Sequence, residues 1–142
     1  RTVATSAPGF VLLLQHGERI DLPVLVTYDG SAAAKRALMM AVRLVETIKG
    51  SRPPALTVLI VNHVQIPEKA QQLEREAESL LQSYNLQADY RSLLNANILG
   101  LVQTVQTLRG GLLVLGGESQ LVQAETIQTL LDQLGCPVLL VR

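Results

Sequence analysis

The sequence predicts an α/β domain in which a parallel sheet is covered by helices on both faces. Short apolar segments alternate with longer segments whose apolar residues recur at helical spacing, and this alternation is typical of strand-helix-strand units. The apolar segments are nearly continuous, as in strands that are buried on both faces. With 142 residues, 48% of them hydrophobic, the chain can form one domain with a substantial core.

The first element pair is a strand that turns sharply into a helix. Val24–Tyr28 is an apolar, β-branched run of strand length. Asp29, Gly30 and Ser31 follow it, and these residue types cap helices and permit tight turns. Asp29 therefore stands at the carboxyl end of a strand, where open α/β sheets bind ligands. The apolar face of the helix comprises Ala34, Ala37, Leu38, Ala41, Leu44, Val45 and Ile48.

The remaining elements continue the alternation. Breakers rich in Gly and Pro separate them, at 50–54 and 109–111 for example. The strands are aliphatic runs, and the helices carry apolar residues three or four positions apart. In order, we expect a strand at 55–61, a helix at 68–84 with an apolar side that includes Tyr84, a short strand at 87–93, a helix at Ile98–Leu108, a strand at 112–115, a helix over 127–134 and a last strand from Pro137 to Val141.

Composition narrows the classes of function. Twelve basic and twelve acidic residues cancel, so we expect no nucleic acid binding. The longest apolar runs have the length of strands, so we expect no direct membrane insertion. The single cysteine, Cys136, excludes an internal disulfide and favours a cytoplasmic location. His16 and His63 lie far apart in a sequence with no other histidine, which argues against a zinc site. The sequence carries no signal peptide pattern. Because it begins with Arg instead of Met, we interpret it as a fragment of a longer protein, with a processed terminus as the alternative.

Three segments carry a resemblance to a known family. VLVTYDGSAAAKRAL, LLVLGG and GCPVLLVR resemble universal stress protein domains, and the resemblance extends over residues 22–142. It implies a three-layer α/β fold whose five parallel strands have the order 3-2-1-4-5. It also implies a nucleotide pocket, formed here by Asp29, Gly30, Ser31, Gly116 and Gly117, in which the Asp lies beside adenine and ribose. The alternative for Asp29 and Ser31 is a purely structural capping role.

The loop after the fourth strand departs from the family's ATP motif. In that motif a Gly, two residues, a second Gly and nine residues precede Gly-Ser or Gly-Thr, and the glycines let backbone N–H groups approach phosphate. Here Ser119 replaces the second Gly, and Ala124 and Glu125 stand where Gly-Ser would be. Between Gly116 and Arg142 no Lys or Arg offsets the carboxylate of Glu125. We therefore predict no cofactor; the alternative is ATP or another adenine nucleotide in an altered pocket.

The N-terminal segment, residues 1–20, repeats the pattern of the C-terminus. Pro8-Gly9 followed by Phe10–Leu14 resembles Cys136-Pro137 followed by Val138–Val141. We expect Phe10–Leu14 to form an extra strand and interpret it as the last strand of a preceding similar domain. The alternative is an N-terminal linker that is apolar. An apolar edge strand is a template for pairing. We therefore expect self-association through this strand and the edge strand Pro137 to Val141, paired antiparallel within one chain or swapped between two.

The function predicted from these residues is not enzymatic. The preferred hypothesis is a regulatory or dimerisation domain over residues 21–142 that has lost ATP binding. The resemblance allows it to be the cytosolic part of a larger stress-response or ion-transport protein. The alternative is a stress-response domain that binds ATP, AMP or adenosine. A phosphate-ester hydrolase is disfavoured, because the sequence shows no nucleophilic or metal-binding constellation.

Overall fold

The computed structural model describes residues 2–7, 10–14, 23–47, 56–61, 66–93, 98–116, 132–134 and 136–141. Within these ranges no helix is long and apolar enough to cross a membrane. The strands are β1 (Thr2–Ala7), β2 (Phe10–Leu14), β3 (Val24–Tyr28), β4 (Leu56–Val61), β5 (Asp89–Leu93), β6 (Leu112–Gly116) and β7 (Val138–Val141), and the helices are α1 (Ala32–Thr47), α2 (Pro67–Gln82) and α3 (Ile98–Leu108).

The strands form one sheet in the order β1-β2-β7-β6-β3-β4-β5. From β5 to β7 all neighbours are parallel. Counted in chain order from β3, these five strands have the order 3-2-1-4-5, which confirms the predicted α/β fold. Connections between adjacent parallel strands require crossovers, and the helices provide them.

Two apolar clusters lie on opposite faces of the sheet. Alternate strand residues such as Val26, Val58 and Val114 pack with α1 and α2. The residues between them, such as Leu25 and Leu59, pack with α3. Because both faces are covered, β3, β4, β6 and β7 are buried at every position, which explains their nearly continuous apolar sequences.

Helix α2 ends earlier than the periodicity predicted. Tyr84 donates its N–H to the carbonyl of Leu81 at 3.0 Å, and Asn85 donates to that of Gln82 at 3.1 Å. Asn85 has φ +55°, a left-handed conformation that ends helices. Tyr84, predicted on the apolar side of this helix, lies beyond its end and is 43% exposed.

The start of β5 also differs from the prediction, and the predicted fourth helix is described only in part. Strand β5 begins at Asp89 instead of Gln87, because its pairing with β4 starts at Thr57 opposite Asp89. Most of the predicted helix over 127–134 lies outside the described residues. Of its described residues, Asp132 and Gln133 are helical.

The N-terminal segment contributes two strands instead of the one predicted. Strand β2 pairs antiparallel with β7, from Phe10 opposite Val141 to Leu13 opposite Val138. Strand β1 pairs antiparallel with β2 on the other side. The expected antiparallel pairing thus occurs within one chain, and β7 is not the edge of the sheet. Self-association through this contact stays a prediction and requires exchange of the β1–β2 ribbon between copies.

Candidate functional site

The turn between β3 and α1 contains the candidate residues Asp29, Gly30 and Ser31. Asp29 Oδ1 accepts a hydrogen bond from the Ser31 N–H at 3.0 Å. Ser31 Oγ accepts one from the Ala34 N–H at 3.1 Å, which makes Ser31 the N-cap of α1. The capping role expected from the sequence is therefore observed. It lies at the carboxyl end of β3, where the ligand-binding role was also expected.

Gly30 occupies a position that is strained for any residue with a side chain. Its φ of +84° is left-handed, and a Cβ there would lie 2.9 Å from Cδ2 of Leu73 in α2. The turn therefore brings α2 against the end of β3, and Leu73 is buried at this contact.

Gly116 closes the same edge from β6. The register of β3 with β6 aligns Val26 with Val114, so Tyr28 and Gly116 lie side by side two residues later. A Cβ on Gly116 would lie 3.0 Å from both the N and the Cα of Ala34. The end of β6 is thus packed directly on the first turn of α1.

The structure brings together some of the predicted site and not all of it. The carboxyl ends of β3 and β6 bring together Asp29, Gly30, Ser31 and Gly116. Gly117, His63, Ser119, Ala124 and Glu125 lie outside the described residues.

Sequence reasoning missed a buried polar contact beside this turn. The hydroxyl of Tyr28 donates to Glu76 Oε1 in α2 at 3.2 Å, and Tyr28 is fully buried. Burial raises the pKa of the Tyr28 hydroxyl, and the carboxylates of Glu76 and, more weakly, Asp29 raise it further. A signal was present: Glu76 lies three residues after Leu73 and one before Ala77, within the apolar stripe of α2.

This contact predicts a loss of stability at alkaline pH. A folded-state pKa above the usual value of about 10 means that the unfolded chain releases the phenol proton first. The stabilising contribution is therefore fully present below pH of about 10 and is lost as pH rises through the folded pKa. Burial, with Glu78 and Glu74, also raises the pKa of Tyr90, to about 12, so Tyr90 adds a decline of the same sign.

Urea unfolding followed by circular dichroism at increasing alkaline pH measures this decline. We expect Tyr28→Phe to lower stability at neutral pH, because the hydrogen bond to Glu76 is lost. Its unfolding free energy should then fall less steeply with pH than that of the unchanged protein. Tyr84→Phe, at an exposed tyrosine, is the matched control. Parallel slopes for Tyr28→Phe and the unchanged protein would contradict the assignment.

The polar side chains described at this site act mainly as hydrogen-bond acceptors. Asp29 and Glu76 place two carboxylates near the end of β3, and both accept hydrogen bonds from the protein itself. Among the described residues no group of three or more His, Cys, Asp or Glu side chains can hold a metal ion.

Comparisons by sequence find no relative. No protein-family model matches the chain, and no curated protein matches it.

Comparisons by structure give consistent matches. A universal stress protein solved with cAMP is 20% identical with a TM-score of 0.65, and the match covers 84% of this chain and 94% of that one. A universal stress protein from Archaeoglobus fulgidus solved with dAMP is 15% identical with a TM-score of 0.62, covering 87% and 100%. Another from Archaeoglobus fulgidus is 19% identical with a TM-score of 0.65, covering 94% of this chain but 49% of that one. The fold of this chain is therefore that of the universal stress proteins.

Proposed function

We propose that this chain is a non-catalytic regulatory domain of the universal stress protein type that does not hold ATP in the manner of that family. We further propose that it works as one unit of a larger stress-response or ion-transport protein. The match to about half of one longer universal stress protein supports this arrangement.

The observation that carries the proposal is the closed turn between β3 and α1. The Asp29 carboxylate and the Ser31 hydroxyl accept the N–H groups of Ser31 and Ala34. A helix N-terminus attracts anions through such N–H groups and through its dipole. Here the chain's own oxygens use two of these donors, and one of those oxygens is negatively charged. A phosphate at the end of α1 would therefore compete with these oxygens for two of the donors.

The sequence after Gly116 supports the same conclusion. Ser119, Ala124 and Glu125 replace the small residues of the phosphate loop, and no Lys or Arg follows before Arg142. Like charge from Glu125 disfavours a triphosphate further. The sequence after Gly116 thus also lacks the residues that stabilise phosphate in the family's motif.

A second function is favoured by one specific observation. Asp29 is half-buried at the carboxyl end of β3, the location that the resemblance assigns to adenine and ribose. Universal stress proteins of the same fold have been solved with cAMP and dAMP. The alternative is therefore a domain that binds an adenosine moiety without binding a triphosphate.

Calorimetry separates the two functions. We expect no binding heat from ATP with magnesium at micromolar concentrations. Asp29→Asn keeps the acceptor oxygen and removes the charge, and Glu46→Gln, an exposed carboxylate near the C-terminal end of α1, is the matched control. Micromolar ATP binding that Asp29→Asn abolishes and Glu46→Gln preserves would overturn the proposal. Adenosine binding without ATP binding would establish the alternative.

A further inference from the structure

The sheet has two outermost strands, and one of them, β5, offers backbone groups with which another strand can pair. Strand β2 covers β7, which leaves β1 and β5 as the outermost strands. Strand β5 pairs with β4 on one side, and no strand of the described chain lies on its other side. Its backbone groups on that side form a template for another strand.

Grooves flank β5 on both faces. On the α2 side a groove of about 530 Å³ is lined by Glu78, Gln82, Leu86 and Tyr90, among others. On the α3 side a groove of about 230 Å³ is lined by Arg91 with residues of α3. The helices therefore do not enclose this edge, and an added strand has space for side chains on either face.

We propose that a second copy of this chain pairs antiparallel with β5, about a twofold axis that passes between the two Tyr90 residues. Asp89 and Arg91 are exposed, flank Tyr90 and lie on the same face of the strand. In this register Asp89 of each copy is opposite Arg91 of the other, so two opposite-charge pairs form.

The charge pattern selects this register over its neighbours. An axis through Arg91 places two arginines opposite each other, and an axis through Asp89 places two aspartates together. Like charges directly opposite on paired strands are destabilising. Glu78 and Tyr90 line the same groove, so the Glu78 carboxylates of both copies lie near the axis. Their mutual repulsion is the cost that the two Asp89–Arg91 pairs offset.

Sedimentation of the full chain over a concentration series tests the proposal. We expect a dimer whose dissociation constant rises at least about tenfold, or about 1.4 kcal/mol, in Asp89→Arg and in Arg91→Asp, since each opposes like charges. The double variant Asp89→Arg/Arg91→Asp exchanges the two signs and should restore the dimer. A monomer at every concentration, unchanged single variants, or a double variant that stays dissociated would overturn the proposal. Species that grow beyond a dimer would also overturn it, because a twofold contact closes on itself.

An oxidative cross-link tests the register independently. On the axis, paired Cα atoms lie about 4.5–5.5 Å apart, within the range for a disulfide. Tyr90→Cys should therefore form a cross-linked dimer on oxidation. Ser92→Cys is the control, because its two copies lie more than about 13 Å apart in this register. The native Cys136 is buried. Equal cross-linking at both positions, or cross-linking at Ser92→Cys alone, would refute the register.

Discussion

Replacing Gly116 with valine should destabilise the domain by about 3 kcal/mol, the upper part of the usual range for overpacking. A Cβ at this position meets the backbone N and Cα of Ala34 at 3.0 Å, and the carbonyl carbon of Ala33 at 3.3 Å. These are backbone atoms of the first turn of α1, so no rotamer change relieves the contact. The end of β6 must move away from α1, and the turn at Asp29 should be disturbed with it.

Chemical denaturation measures the loss of unfolding free energy in Gly116→Val. A comparison with Gly116→Ala tests whether the added side chain causes it by steric overlap. Gly116→Ala introduces only the Cβ and should cost less than Gly116→Val. Gln71→Ala, at an exposed position of α2, should change stability by less than about 0.5 kcal/mol. If Gly116→Val were as stable as Gln71→Ala, the close approach of β6 to α1 would be incorrect.

Deleting residues 1–15 should have the second large effect, because it removes both β1 and β2. Four residue pairs join β2 to β7, and the side chains of β7 are at most 5% exposed. At about 0.5–1.5 kcal/mol of net stability for each backbone hydrogen bond, we expect a loss of at least about 2 kcal/mol. The uncovered edge of β7 should then pair with another copy.

Light scattering and thermal unfolding of the truncated chain test this expectation. The measurement is best made in the Asp89→Arg background, so that any new association does not arise from the contact proposed at β5. The matched control is the full chain with the same substitution. Identical mass and identical stability in the two proteins would mean that the ribbon is only a tail.

Much of the fold could be predicted because the central strands carry an unambiguous signal. Strand β3 and helix α1 lie where Val24–Tyr28 and the spacing from Ala34 placed them. Strand β1 was missed because its sequence, TVATSA, consists mostly of small residues and has no aliphatic run. It is a strand because β2 offers a partner, and pairing across sequence is not visible in local composition.

The site was predictable where local rules govern it. The Asp29–Ser31 turn follows from capping chemistry, and its hydrogen bonds are local. The Tyr28–Glu76 contact joins residues 48 positions apart. The place of Glu76 in the apolar stripe of α2 indicates that it needs a buried partner, but nothing in either segment identifies Tyr28 as that partner. The requirement for glycine at position 116 has the same origin, since the atoms that exclude a side chain belong to α1.

The nucleotide that stays with the purified protein tests the central claim most directly. The protein is denatured without added ligand, and the released material is separated by ion-exchange chromatography with detection at the adenine absorbance. The chain contains no tryptophan, so residual protein adds little to the absorbance that is measured for adenine. If the end of α1 is closed to phosphate, as we propose, and no basic residue follows Gly116 before Arg142, we expect no ATP above trace amounts. Stoichiometric ATP, lost in Asp29→Asn and retained in Glu46→Gln, would contradict the claim.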